Sequence, residues 1–166
     1  MPISLTDLNQ SSQNAFVAAL DGVFENTPAI AQTTWHQRPF TTLETLHQSL
    51  VKVAQSASPA AQLELIRAHP DLGSKTKMAE ASIEEQAGAG LDQLTSEEFE
   101  QFQALNQAYK AKFGFPFLIA VRHHAKHTIL DAFKSRLQNA PEIEQQQALT
   151  EIFQIAWLRL GDRISP

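Results

Sequence analysis

The sequence of 166 residues contains no cysteine. This absence excludes disulfide bridges, thiolate metal sites and a cysteine nucleophile, and it is compatible with a reducing compartment. No run of eighteen apolar residues occurs, and residues 1–7 lack the basic and apolar regions of a signal peptide. Positive charge is also scarce, with 13 Lys and Arg against 18 Asp and Glu. We therefore expect a cytoplasmic protein that binds neither membranes nor nucleic acid, because polyanions select clustered basic residues.

Apolar residues instead recur at helical spacing along most of the chain. About seven to eight segments show the 3.6-residue period, and none has a convincing strand pattern. Helix starts are indicated at Ser58-Pro59, Thr95 and Pro141, and Gly114 is suited to a left-handed position at a helix end. The length is that of one ordinary domain. The sequence predicts an all-α bundle of about seven to eight helices in a single domain spanning residues 1–166.

The N-terminal region gives a more detailed expectation. Residues 4–9 are interpreted as an entry segment that precedes the first helix. Ser11 or Ser12 is expected to cap the first helix, whose apolar face would then extend as far as Val23 and Phe24. This first helix is expected to end before Pro28.

One histidine stands where a helical pattern stops. The apolar pattern through Leu65 and Ile66 ends at His69, which Pro70 follows. Proline has no N–H and pushes the preceding residue out of the α region, so His69 is expected at a helix exit. An imidazole at such a place can act as a catalytic base. The structural alternative is a histidine that closes the helix by bonding its last carbonyl groups.

Two later stretches have both a structural and a functional interpretation. Periodicity weakens between Gly73 and Leu94, which predicts a mobile segment, and Ser82 with Glu85 has the form of a helix-capping box. Residues 115–121 form the most apolar run, and are expected to cross the interior in extended or single-turn form. Buried N–H groups there need acceptors, which either a ligand oxygen or the rest of the protein would supply.

A cluster of three histidines raises the possibility of a metal site. His123 and His127 have the i, i+4 spacing of a helical metal pair, and His124 lies between them. The glutamate of the HExxH motif is absent and the chain has no thiolate. We therefore expect a solvated helix start here, and no metal.

Several motifs, taken in chain order, carry a resemblance to a known family. They are Arg38-Pro39-Phe40, Ala68-His69-Pro70-Asp71-Leu72, the pattern S-x-x-E-Q-x-G-A-G-L over residues 82–91, Leu105-Asn106-x-x-Tyr109, Phe113-Gly114-Phe115-Pro116-Phe117, and the closing stretch from Glu151 to Arg159-Leu160. Together they resemble the 2-oxo-4-hydroxy-4-carboxy-5-ureidoimidazoline (OHCU) decarboxylases of urate breakdown. The resemblance spans nearly the whole chain.

The resemblance implies an all-helical enzyme without a cofactor, commonly a homodimer, that converts the small molecule OHCU to (S)-allantoin and carbon dioxide. By matching positions, it implies that His69 is the general acid and base and that Glu85 is the second catalytic residue. The implied substrate-binding residues are Pro70, Ser82, Gln86, Phe117, Leu118, Ile119, Ala120, Val121 and Arg159. Arg163 remains an alternative to Arg159 as the site arginine. Arg122 and the next two residues stand where many members carry glycine.

The implied chemistry is reasonable without a cofactor, because the heterocycle of OHCU can itself accept the electron pair that decarboxylation releases. Two other functions stay open at this point. One is hydrolysis of 5-hydroxyisourate, which needs an activated water. The other is a helical interaction module without catalysis, which predicts no common arrangement of the polar side chains around His69.

Overall fold

A computed structural model describes residues 2–74, 78 and 80–166 of the chain. These residues form nine α-helices and one very short pair of strands. In chain order the elements are β1 (Ile3–Ser4), α1 (Leu5–Gln10), α2 (Gln13–Ala19), α3 (Pro28–Thr34), a 3₁₀ turn (Trp35–Gln37), α4 (Leu43–Ser56), α5 (Pro59–Arg67), α6 (Glu80–Gly88), α7 (Ser96–Phe113), a second 3₁₀ turn (Val121–His123), α8 (Lys126–Arg136), α9 (Pro141–Arg163) and β2 (Ile164–Ser165). The all-α class is confirmed. None of the helices in the described ranges combines the length and apolar character that crossing a membrane requires.

The chain divides into two compact units. The terminal unit comprises residues up to 65 together with residues 153–166, and the central unit comprises residues 66–152. Helices α5 and α9 contribute residues to both units. The single domain expected over residues 1–166 stays a prediction.

Side-chain caps and turns define the helices of the terminal unit. Ser4 accepts a hydrogen bond from the N–H of Asp7 and begins α1, and Ser12 accepts one from the N–H of Ala15 and begins α2. Thr42 and Thr45 satisfy each other's backbone N–H groups at the start of α4. Buried apolar side chains line the inner faces of these helices, among them Leu8, Phe16, Leu46, Leu50 and Leu160.

The N-terminal expectation is wrong in two respects. The entry segment contains a helix, α1 (Leu5–Gln10), ahead of the one expected to be the first, and β1 pairs in parallel with β2, Ile3 opposite Ile164. Helix α2 ends at Ala19, because the chain turns at Gly22 with a φ of +78°. Val23 and Phe24 are nevertheless buried, so the apolar pattern identified core residues but not the end of the helix.

The central unit is built around an aromatic core. The rings of Phe117 and Phe133 stack with centroids 3.9 Å apart, and Tyr109 meets both rings edge to face. Helix α7 begins at Thr95, whose side chain accepts from the N–H of Glu98, and ends at Gly114 with a φ of +77°. These two helix ends are confirmed as predicted.

Candidate active site

His69 lies just beyond the end of α5, as the His-Pro sequence predicts. Its backbone N–H donates to the carbonyl of Ile66 at 3.3 Å, and the residue is only 7% exposed. It contributes to a cavity of about 290 Å³ in the central unit, together with Arg67, Asp71, Lys110, Gly114, Phe115 and Pro116. A buried imidazole at a cavity is a candidate acid or base, and the catalytic role of His69 stays a prediction.

The loop that follows His69 is held by side chains from two helices. The side-chain oxygen of Gln86 on α6 accepts from the N–H of Gly73 at 3.0 Å, and Asn106 on α7 donates to the carbonyl of Leu72 at 2.9 Å. Gly73 has a φ of +68°, and a Cβ atom there would lie 2.9 Å from Leu94. The loop is therefore fixed by polar contacts, and a side chain at position 73 would be strained.

Three of the candidate polar residues share one face of α6. Ser82, Glu85 and Gln86 have the i, i+3, i+4 spacing that places side chains together, and they are 4%, 9% and 7% exposed. Because α6 already begins at Glu80, Ser82 and Glu85 are interior residues of the helix. The capping-box interpretation is therefore wrong, and these residues lie within a helix of nine residues. The expectation of mobility for residues 75–77 and 79 lies outside the described residues.

Glu85 has a cationic partner in the central unit. Its Oε1 atom lies 3.3 Å from Nη2 of Arg122, in the 3₁₀ turn that packs beside α6. The side chain of Glu85 is 8% exposed and that of Arg122 is 33% exposed. A carboxylate buried to this extent needs such compensation, because an isolated buried charge is strongly unfavourable.

Residues 117–121 are buried throughout; residues 117–120 have no regular secondary structure, and Val121 begins the second 3₁₀ turn. Two of their backbone groups bond to side chains of the same unit: the carbonyl of Leu118 accepts from Nη1 of Arg136, and the N–H of Ala120 donates to Glu151 at 2.9 Å. The amide of Ala120 thus follows the structural alternative rather than the ligand-oxygen alternative. The substrate contacts assigned to Phe117, Leu118, Ile119, Ala120 and Val121 by resemblance stay predictions.

A buried polar cluster that sequence reasoning missed supports this segment. Nε of Arg136 donates to both carboxylate oxygens of Glu144, at 3.0 and 3.2 Å. Asn139 donates to Oε1 of Glu144 at 2.9 Å, and the hydroxyl of Tyr109 donates to Oε2. The guanidinium of Arg136 also lies over the ring of Phe117, 4.4 Å from its centroid. The sequence signal that could have revealed this cluster is Glu144, a charged residue four positions before Ala148 on the apolar face of α9.

The cluster changes the ionisation of two of its members. Burial by itself raises the pKa of the Glu144 carboxyl, but hydrogen bonds from Arg136, Tyr109 and Asn139 bring that pKa below its ordinary value. Burial, followed by the hydrogen bond to Glu144, raises the pKa of Tyr109 well above its usual range. Glu144 is therefore a buried carboxylate, and Tyr109 remains a neutral donor.

Arg159 and its alternative Arg163 belong to the terminal unit, whereas the other candidate residues belong to the central unit. Nη1 of Arg159 donates to the carbonyl of Gly22 at 2.8 Å and to Glu25 at 2.9 Å, and the side chains of Arg159 and Glu25 are 2% and 1% exposed. The predicted contact of Arg159 with substrate stays a prediction, and Arg163 stays its alternative.

Within the described ranges, no three His, Asp or Glu side chains lie close enough together to hold a metal ion. His123 ends the second 3₁₀ turn, and His127 lies in the first turn of α8. Nδ1 of His124 lies 3.3 Å from the hydroxyl of Thr128.

Comparison with known proteins agrees with the family that the motifs indicate. The family model for OHCU decarboxylase matches residues 9–161. The 2-oxo-4-hydroxy-4-carboxy-5-ureidoimidazoline decarboxylase of Halalkalicoccus jeotgali is 44% identical over 164 residues, covering 99% of this chain and 93% of the relative. The enzyme of that name from Mus musculus is 34% identical over 165 residues, covering 96% and 92%.

Two crystal structures share the fold. One, of (S)-allantoin synthase, matches with a TM-score of 0.81 and 31% identity over 98% of this chain. This chain covers 54% of that longer chain, about half its length. The other, of OHCU decarboxylase in the presence of (S)-allantoin, matches with a TM-score of 0.70 and 23% identity, covering 84% of this chain and 93% of that one.

Proposed function

The chain belongs to the OHCU decarboxylase family, and we propose that it converts OHCU to (S)-allantoin and carbon dioxide in urate degradation. The observation that carries this proposal is the family match over residues 9–161, within which His69 lies at a helix exit beside a cavity. The proposal includes a single domain over residues 1–166, a cytoplasmic location, a homodimer, and catalysis without a cofactor.

The reaction breaks the bond between the carboxylate carbon and the ring. Carbon dioxide leaves, and the electron pair spreads into the imine and carbonyl system of the heterocycle, which then takes up a proton. The protein must orient the substrate, stabilise the developing negative charge and deliver the proton to one face of the ring. This last requirement makes the product a single enantiomer.

Each candidate residue has a role in this scheme. His69 hydrogen-bonds the substrate hydroxyl and exchanges protons as general base and acid, since an imidazole titrates near neutrality. Glu85 orients His69 or the substrate. The polar atoms of the ureido group and ring are held by Ser82 and Gln86, while Pro70 and the backbone of residues 117–121 complete the site. Arg159 pairs with the substrate carboxylate or with a ring oxygen.

The decisive experiment uses OHCU generated in place from urate by urate oxidase and a hydroxyisourate hydrolase, with circular dichroism following allantoin. We expect rapid appearance of one enantiomer. Formation of racemic allantoin at the uncatalysed rate would overturn the decarboxylase assignment and favour an interaction module. A parallel reaction without the hydrolase tests the other alternative, because a decarboxylase leaves 5-hydroxyisourate unchanged.

The oligomeric state needs a separate measurement. Sedimentation velocity of the purified protein at several concentrations should give the mass of a dimer. A monomer at all concentrations that support activity would remove the homodimer from the proposal without affecting the assigned reaction.

A further inference from the structure

Arg122 is a cation that contacts the proposed catalytic carboxylate. It follows directly on residues 117–121, and its Nη2 atom lies 3.3 Å from Oε1 of Glu85. Its 3₁₀ turn packs beside α6, the helix that also carries Ser82 and Gln86. Arg122 therefore joins two stretches of the central unit to which substrate-binding residues have been assigned.

The accessibility of Arg122 differs from that of Arg159. The side chain of Arg159 is 2% exposed, and its guanidinium is bound to Glu25 and Gly22 within the terminal unit. One third of the Arg122 side chain is solvent-accessible, so a ligand can reach it. A planar guanidinium can contact carboxylates on more than one edge, which an ammonium group cannot do with the same geometry.

The charge of the proposed substrate favours a cation at this place. OHCU carries a carboxylate, and it must bind close to the buried carboxylate of Glu85. Two like charges in a poorly hydrated site repel strongly, since the effective dielectric constant there is far below that of water. Arg122 offsets this repulsion because it lies against Glu85 and is also open to solvent.

We propose that Arg122 is a further substrate-binding residue, which holds Glu85 and pairs with the carboxylate of the incoming substrate. This inference rests on the proposed function. The proposed contact distinguishes substrate from product, because (S)-allantoin has lost the carboxylate that Arg122 recognises. Removal of the Arg122 charge should therefore weaken the binding of OHCU and leave the binding of (S)-allantoin nearly unchanged.

The test compares Arg122→Gln, Arg122→Lys and the control Lys126→Gln with the wild-type protein. Lys126 is the control because its side chain, 36% exposed against 33% for Arg122, also pairs with a glutamate, the more exposed Glu98, at 2.9 Å. We expect Arg122→Gln to raise KM for OHCU about tenfold with a smaller change in kcat, since the lost interaction is made in the ground state. Arg122→Lys keeps the charge and should raise KM only about threefold, and Lys126→Gln should leave it unchanged.

Calorimetric titration with (S)-allantoin supplies the second readout. The affinity of Arg122→Gln for (S)-allantoin should stay within about twofold of wild type. An unchanged KM for OHCU in both Arg122 variants would overturn the proposal, as would a parallel loss of allantoin affinity, which indicates a merely structural role. If Arg122→Gln does not fold, Arg122→Lys decides by the same two measurements. A wild-type protein without activity on OHCU would instead overturn the proposed function, and the role of Arg122 with it.

Discussion

The terminal and central units differ in the polar groups that they bury. Among the described residues, the terminal unit buries Glu25, Thr34 and Arg159, and it contains a partly open, mainly apolar cavity of about 470 Å³. The buried polar residues described in the central unit are His69, Ser82, Glu85, Gln86, Asn106, Arg136 and Glu144. Buried polar groups are unfavourable unless each is hydrogen-bonded, so an apolar core would be the simpler solution for stability.

The arrangement of these groups shows what they do for the central unit. Gln86 and Asn106 bind the backbone of the loop after His69, and Arg136 and Glu151 bind the backbone of residues 117–121. The polar groups thus fix irregular backbone next to candidate site residues. In the terminal unit Arg159 also binds backbone, at Gly22, and forms an ion pair with the buried Glu25.

We expect the largest difference between the two units when one histidine in each is replaced. His69→Asn should lower kcat by about 10²–10⁴-fold, the usual contribution of general acid–base catalysis, with unchanged helix content. In the terminal unit, His47→Asn removes a ring contact of 2.8 Å with the carbonyl of Phe153 and should cost about 1 kcal/mol of stability without a comparable loss of rate. Allantoin formation and urea unfolding measure the two quantities. Normal turnover by His69→Asn would refute its catalytic role.

The buried ion pairs give the next largest effect. Glu144→Gln leaves Arg136 without its counter-charge, and Glu25→Gln does the same to Arg159, so each should lower the free energy of unfolding by about 3–5 kcal/mol. Lys126→Gln, which breaks an exposed pair, should cost less than about 1 kcal/mol. Urea denaturation of the three variants measures these differences. Equal losses in all three would contradict the burial argument.

Acid should destabilise the protein partly through Glu144. Its pKa is lower in the folded protein than the ordinary value of 4.5, so the unfolded chain binds more protons in acid. The corresponding stability is present above about pH 4.5 and is lost as the pH falls through the folded-state pKa. The free energy of unfolding, measured by urea from about pH 7 to about pH 3, should therefore fall less steeply for Glu144→Gln than for wild type. Parallel curves would show that Glu144 contributes nothing to acid sensitivity.

Helix caps should give the smallest effect and no difference between the units. Thr42 caps α4 in the terminal unit and Thr95 caps α7 in the central unit, each through its hydroxyl. Replacement of either by Ala should cost about 1 kcal/mol, because one backbone N–H loses its acceptor. Thermal or urea unfolding checks this. A much larger loss at Thr95 would mean that the units also differ in local helix stability.

Local chemistry was sufficient to predict several helix ends. Proline at Pro59 and Pro141, the hydroxyl of Thr95 and the left-handed Gly114 act within one turn of their own positions, so their effects can be read from neighbouring residues. The exit of the chain at His69 before Pro70 is of the same kind. The family motifs then supplied the candidate site residues, which local chemistry alone would not have assigned to a reaction.

Interactions between distant residues account for what sequence reasoning missed. The pairing of Ile3 with Ile164 joins the two ends of the chain, and no local pattern predicts such a partner. Ser82 and Glu85 have the sequence pattern of a capping box, but α6 begins two residues before Ser82, so both residues lie inside the helix rather than at its start. The partner of a buried charge can likewise lie far away in the sequence, as Arg122 does from Glu85, so the local pattern does not predict it.

The sequence by itself therefore determined the helical class, most helix boundaries set by proline, glycine or a capping hydroxyl, and the place of His69 at the end of a helix. These features depend on backbone geometry over a few residues. Only the tertiary structure decided which polar side chains are buried and with which partners, as for Arg136 with Glu144 and Arg159 with Glu25. A buried charge is tolerated only where a partner from elsewhere in the chain compensates for its lost hydration, and packing alone brings the two together.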